Sequence, residues 1–348
     1  MEQSFPTPKQ DYLVVIISLV YNQEGYIRDT LDGFIAQRTN FPFCAVVMDD
    51  CSTDKTAEII KSYEAKYPDI IKGIYLPENY YSQNKNKMPI LQPWHDHCKY
   101  LAICEGDDYW IDPKKLQKQV DWLEANPDYT MCCSDSEIIP DEEIWHWHRY
   151  SEDCDIPVED MVSGGGLWVQ TPTLVFRKDL YKDFPDCCWK CHVADYPIQI
   201  WATLKGKVRY LKDRTSCYRL ESAGSWSSRQ LSTRLAIAFN KSYRDLLIHG
   251  WETEIAMLKG LDEYSKGKYH DVFLKRKAMF IWGNVLKYRI NTTSIKSSHP
   301  ELFSQFSKFQ KFIIFILQSD IMCIIFGLPF VDKIIRAEQI YKRSKKKN

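Results

Sequence analysis

Two clusters of carboxylates stand out by position. Asp49-Asp50-Cys51-Ser52-Thr53-Asp54 and Glu105-Gly106-Asp107-Asp108 each follow directly on a short apolar run. In an open α/β sheet ligands bind beyond the carboxyl ends of the strands, so acids there matter more than acids on helix faces. Like charges packed so closely repel unless a cation or hydrogen-bond donors take them up. Hard oxygen donors suit Mg²⁺ or Mn²⁺ bridged to a substrate phosphate. An N-cap and a turn, the simpler use, would need only one Asp in each cluster.

The elements that must hold these clusters are legible as βα repeats. Leu13 to Leu19 is apolar and β-branched, and Ile27, Leu31, Phe34 and Ile35 follow at helical spacing. Phe43 to Met48 reads as a second strand; Ser52, Thr53 and Asp54 then offer N-caps to a helix with Ile59, Ile60, Tyr63 and Tyr67 on one face. Ile70 to Leu76 and Tyr100 to Cys104 read as two further strands. Asp112 as N-cap and Pro113 at N1 open a helix with Leu116, Val120 and Leu123 on one stripe. Such repeats predict an α/β fold with a mostly parallel sheet. Residues 78–89 and 151–166 read as loops. Beyond about residue 228 the pattern is helical, so the expected division is 1–228 and a helical extension over 229–348.

Composition narrows the function classes. In 348 residues, 46 Lys and Arg balance 46 Asp and Glu, which argues against a nucleic-acid partner. Glycine is scarce at 14 residues, and neither a G-x-x-x-x-G-K-[ST] loop nor a G-x-G-x-x-G fingerprint occurs, so Walker-type NTPases and ordinary dinucleotide dehydrogenases are disfavoured. The 12 cysteines are diluted along the chain and Met1 to Gln10 has no apolar signal core; a reduced, cytoplasmic protein is expected.

The motifs together resemble glycosyltransferases of family 2 with the GT-A fold, in the form found among bacterial surface-polysaccharide transferases. The resemblance rests on Val14 to Glu24 with its Tyr21-Asn22-Gln23-Glu24, on Val47-Met48-Asp49-Asp50-Cys51-Ser52-Thr53-Asp54-Lys55-Thr56, and on Cys104 to Trp110 with Lys115, Leu116 and Gln119. It spans about residues 12 to 228 and implies a GT-A-like α/β nucleotide-sugar domain. It also implies roles: Asp50 accepts from uracil N3–H, Asp49 or Glu105 holds the ribose, and Asp107, with Asp108, ligates Mn²⁺ or Mg²⁺ at the diphosphate. Glu105 stands where the family has Asp, and Cys51 where it has Gly.

Downstream, Ala194-Asp195-Tyr196 resembles the element that supplies the family's base, so Asp195 is expected to take the acceptor's proton. Tyr218-Arg219 and Gly224-Ser225-Trp226-Ser227 resemble the segment that closes over the donor, giving Arg219 a diphosphate contact and placing Trp226 beside the nucleotide sugar. Gln170, Thr171 and Thr173 match a stretch that faces the acceptor. The implied reaction is inverting, metal-dependent transfer of one sugar from a nucleoside diphosphate sugar, UDP-linked, to a glycan or lipid-linked acceptor. No Q-x-x-R-W run of processive synthases is present. An inactive nucleotide-binding scaffold of a polysaccharide assembly is the alternative.

Cys187-Cys188-Trp189-Lys190-Cys191-His192 contains one C-x-x-C without a second pair, and His95-Asp96-His97 and His146-Trp147-His148 read as packing rather than metal sites. At the C-terminus, Phe312 to Val331 is apolar but interrupted by Gln318, Ser319 and Asp320, too polar to span a bilayer. Residues 333–348 are strongly basic. The pair is expected to hold the protein peripherally on an anionic membrane surface, the inner face of the cytoplasmic membrane.

Overall fold

The computed structural model describes residues 5–139, 150–165, 168–220, 222, 241–288 and 300–316. It divides into two compact units, 1–189 with 193–229, and 190–192 with 230–348.

In the first unit Tyr12–Val20 (β1), Phe43–Asp49 (β2), Ile71–Tyr75 (β3) and Cys98–Ile103 (β4) alternate with Ile27–Ile35 (α1), Thr56–Lys66 (α2) and Met88–Asp96 (α3). Consecutive residues Val14, Val15 and Ile16 are all fully buried, as in a strand covered on both faces. β1 pairs in parallel with β2 and β4, and β2 with β3. The chain thus runs outward from β1 through β2 to β3, then crosses to β4 on the other side. The switch in direction falls between the carboxyl ends of β1 and β4.

The second half adds Tyr109–Trp110 (β5), Lys115–Ala125 (α4), Tyr129–Ile139 (β6), Cys154–Asp155 (β7), Val158–Gly164 (α5), Val175–Arg177 (β8), Asp186–Trp189 (α6), Asp195–Lys205 (α7) and Lys207–Arg219 (β9). Among the described residues the sheet is nine-stranded, ordered β3-β2-β1-β4-β8-β6-β9-β5, with β7 also on β9. The longer ladders, including β6 with β9, are parallel. The antiparallel ladders β4–β8, β6–β8, β5–β9 and β7–β9 are only two or three residues long. The α/β architecture with a largely parallel sheet is therefore as the βα repeats predict.

Local differences have local causes. Residues 78–89 are a loop only as far as Lys87, because α3 forms despite Pro89 and Pro93. Pro89 lies in the first turn, where no N–H is needed, and Leu91, Trp94 and His95 bury one face. The expected loop at 151–166 contains β7 and α5. β9, Lys207–Arg219, is the longest strand among the described residues.

α1 lies against β5 closely enough that a Cβ on Gly33 would sit 2.8 Å from the Trp110 carbonyl oxygen. Phe34 meets Trp110 edge-on, ring centres 5.0 Å apart. The described residues of the second unit include helices Lys241–Tyr264 and His270–Tyr288, a 3₁₀ turn at Pro300–Gln305 and helix Lys308–Ile316. Its core includes Ile255, Ile281, Leu302, Phe306 and Ile314. No helix among the described residues is long and apolar enough to cross a membrane.

Candidate active site

The loop after β2 is latched to the loop after β1. Asn22 N–H donates to Ser52 Oγ (2.9 Å), Gln23 N–H to Thr56 Oγ1 (2.8 Å) and Thr53 N–H to Asn22 Oδ1 (2.8 Å). Asp54 accepts from the backbone N–H of Glu24 and of Thr56. Against partial burial, donors from Thr56 and Glu24 hold its carboxyl below the usual value. Asp54 is therefore a latch and cap. Cys51 adopts φ +63°, the left-handed region that glycine enters freely, which accounts physically for Gly being the family's residue there.

Asp49 and Asp50 differ sharply. Asp49 is buried and accepts from Ser52 N–H through Oδ2, while Oδ1 has no partner among the described residues. Burial raises its carboxyl. Asp50 accepts from the N–H of Tyr80 (2.7 Å) and Tyr81 (3.0 Å) and from Lys87 Nζ (2.9 Å). A carboxylate has about four lone-pair sites, and three of those on Asp50 tie down the loop before α3. Tyr80, Tyr81 and Lys87 lie in a segment without periodicity, and nothing in their spacing marks them.

The second acidic loop, after β4, gathers Glu105, Asp107 and Asp108, with carboxylate oxygens within 4.8 Å of one another. Thr30 of α1 holds its backbone, donating to the carbonyls of Gly106 (3.0 Å) and Asp108 (2.6 Å). Asp107 Oδ2 accepts from Ser222 Oγ. Asp108 Oδ1 accepts from Arg219 N–H (2.8 Å), whereas buried Asp108 Oδ2 has no partner among the described residues. Burial and then the charges of Asp107 and Glu105 push Asp108 far up. The protein mass around Glu105, then Asp107 and Asp195, raise Glu105 as well. Because its side chain opens to solvent, the like charges are the firmer cause. An orphaned buried oxygen within a set of hard, mutually repelling donors fits a divalent cation.

Asp195, the first residue of α7, lies near this acidic loop. Its Oδ2 accepts from Thr171 Oγ1 (3.0 Å) and its Oδ1 from Tyr196 N–H (2.9 Å). Burial raises its carboxyl, and those two donors partly offset the rise. The phenol of Tyr218 is pushed up by burial and then by Asp108, Glu105, Asp195 and Asp107, so all four acids lie near that one phenol.

Other expected residues fall differently. Arg219 NH1 donates to the Asp107 carbonyl (2.7 Å), NH2 pairs with Asp29, and the guanidinium lies over Tyr109, 4.5 Å from the ring centre. It supports the acidic loop. Thr173 is fully buried, donating to the Gln170 carbonyl. Gln170 is also buried and accepts from Ser136 Oγ. Thr171 serves Asp195. Together these residues build the 3₁₀ turn that bonds Asp195 Oδ2. Trp226, His146, His148 and residues 317–348 lie outside the described residues. His95 is buried and stacked on Tyr181, ring centres 5.4 Å apart.

A family model described as glycosyl transferase family 2 matches residues 15–193. The uncharacterized protein Rv1520 of Mycobacterium tuberculosis is 35% identical over 225 residues, covering 61% of this chain and 60% of that protein. The match thus spans about three fifths of the length of the first curated relatives. The uncharacterized glycosyltransferase alr2836 of Nostoc sp. is 25% identical over 277 residues, 74% of this chain and 82% of its own. Among solved structures, S. aureus TarS 1-349 in complex with UDP superposes with a TM-score of 0.55 at 16% identity, covering 93% of this chain and 91% of that one. At that identity the likeness is one of fold.

Proposed function

Since the chain belongs to glycosyl transferase family 2, we propose that it is an inverting, divalent-metal-dependent glycosyltransferase. It moves a single sugar from a UDP-sugar to a glycan or lipid-linked acceptor in polysaccharide biosynthesis. The observation that carries the reading is three clustered acids on the loop after β4, one with an orphaned oxygen, with a fourth acid at a helix start close to them. The solved TarS complexes contain UDP and UDP-GlcNAc, which supports UDP as the donor's nucleotide.

Asp107, with Asp108 and Glu105, would hold Mg²⁺ or Mn²⁺, which when bound offsets charge developing on a leaving diphosphate. Asp49 and Asp50 bind the nucleoside, Glu105 reaches the ribose, and Arg219 acts on the donor by holding the acidic loop in place. Asp195 takes the proton of the acceptor hydroxyl as its oxygen attacks the anomeric carbon, and a single in-line displacement inverts that centre. Residues 1–228 form the catalytic part. Residues 229–348 attach it peripherally to the cytoplasmic membrane; the exposed Phe312 and Phe315 of the last described helix support an interfacial face.

The experiment is UDP release from UDP-GlcNAc and other UDP-sugars, with Mn²⁺ or EDTA, followed by NMR of the product's anomeric carbon. Asp107→Asn should abolish turnover and the effect of Mn²⁺ on UDP affinity. Asp195→Asn should keep UDP affinity and lose at least ~10² in kcat. Full activity in EDTA or a retained anomeric configuration would overturn the reading, and nucleotide binding without turnover would leave a scaffold. Deleting residues 309–348 should abolish cosedimentation with anionic liposomes at low salt.

A further inference from the structure

Lys115 of α4 is fully buried. Among the described residues it pairs with no carboxylate. Its Nζ donates to Gln119 Oε1 (2.6 Å) and to the Thr173 carbonyl (3.3 Å), and sits 4.5 Å from the centre of the Trp110 ring. An ammonium in such a place is costly, and burial pulls it down to about 7. An apolar side chain of similar length would fill the space without that cost, so the amine's hydrogen bonds are the feature to explain.

Those bonds converge on one short turn. Gln119, oriented by Lys115, donates from Nε2 to the same Thr173 carbonyl (2.8 Å) and to the Cys132 carbonyl (2.9 Å). Trp110, under the Lys115 amine, donates from Nε1 to the preceding carbonyl, Pro172 (2.8 Å). Two successive carbonyls of the 3₁₀ turn Thr171–Thr173 are therefore fixed from below. The turn's first residue, Thr171, gives its hydroxyl to Asp195 Oδ2.

We propose that Lys115 is a positioning residue for Asp195, acting through Gln119, the Thr173 carbonyl and the Thr171 hydroxyl to fix the direction in which the carboxylate faces the acceptor. The proposal rests on the reading of Asp195 as the base. Trp110 follows the acidic loop by two residues, so the same bracket ties the base to the loop that holds the donor. That link keeps two groups from distant parts of the chain in mutual register.

The test uses the full chain, UDP release from UDP-GlcNAc with Mn²⁺ and water as acceptor, and crystal structures of the variants. Lys115→Met should lower kcat about tenfold with KM for UDP-GlcNAc within about twofold, and should break the Thr171–Asp195 hydrogen bond. Thr171→Val should lower kcat by a similar factor, and Thr171→Ser should restore it. The double variant should fall no further than the worse single one, because both changes cut one path. Additive losses, or an intact Thr171–Asp195 pair in Lys115→Met, would overturn the proposal; Lys115→Gln carries the same test should the Met variant not fold. Asp195→Asn, assayed alongside, separates the two readings. If it turns over normally, the base assignment falls and the proposal with it. If it is inactive while the Lys115 variants match the parent, the proposal falls alone.

Discussion

Cys51 shows how a single side chain can be at odds with its backbone. At φ +63° an L residue gives up about 1–2 kcal/mol that glycine does not, partly offset because glycine has more freedom to lose on folding. Cys51→Gly should hold or raise Tm, and Cys51→Val should lower it, as thermal unfolding will read directly. His95 provides a pH signature. Burial holds its imidazole down to about 4, so below pH 6.5 the unfolded chain binds a proton that the folded chain refuses. Its contribution is complete above about pH 6.5 and is lost as pH falls toward 4, on the order of 3 kcal/mol in all. His95→Phe, which keeps the stack on Tyr181, should flatten Tm against pH across that window. The carboxylates themselves were legible because they end strands inside recognisable motifs. Their supports were not: Thr30 and Ser222 reach the acidic loop from 76 and 115 residues away, and no local pattern encodes such a meeting.

Elements were read well where periodicity was uncontested. β1, α1 and β2 fall within one residue of the apolar runs that announced them. β6 escaped because Ser134, Asp135 and Ser136 interrupt it; these polar residues are buried, and Ser134 and Ser136 spend their hydroxyls on Thr215 and Gln170. A strand whose end builds a site does not look apolar. The same reason hid the turn at Thr171–Thr173, whose polar atoms hydrogen-bond within the protein. Between elements, the α1–β5 contact depends on the bare Cα of Gly33. Gly33→Ala would drive a methyl into the Trp110 backbone and should cost about 1–3 kcal/mol. Because Trp110 also holds the turn beneath Asp195, UDP release should fall along with the denaturant midpoint.

For the molecule as a whole, strand order departs from chain order, and one departure bears on folding. β8, at Val175–Arg177, enters between β4 and β6, and Arg177 then binds the carbonyls of Leu123 and Tyr129 and the Tyr100 hydroxyl. A growing polypeptide that has completed β4 consequently presents a raw edge of unpaired N–H and C=O groups, because the strand that closes it has not been made. At about 5–20 residues per second, translation leaves that edge open for roughly 4–15 s. A chain stopped at residue 139 should aggregate, whereas one continued through residue 229 should remain in the supernatant after ultracentrifugation. The ribosome, by setting how long that interval lasts, thereby influences the yield of native protein, and a holdase chaperone that covers β4 until β8 arrives should raise it.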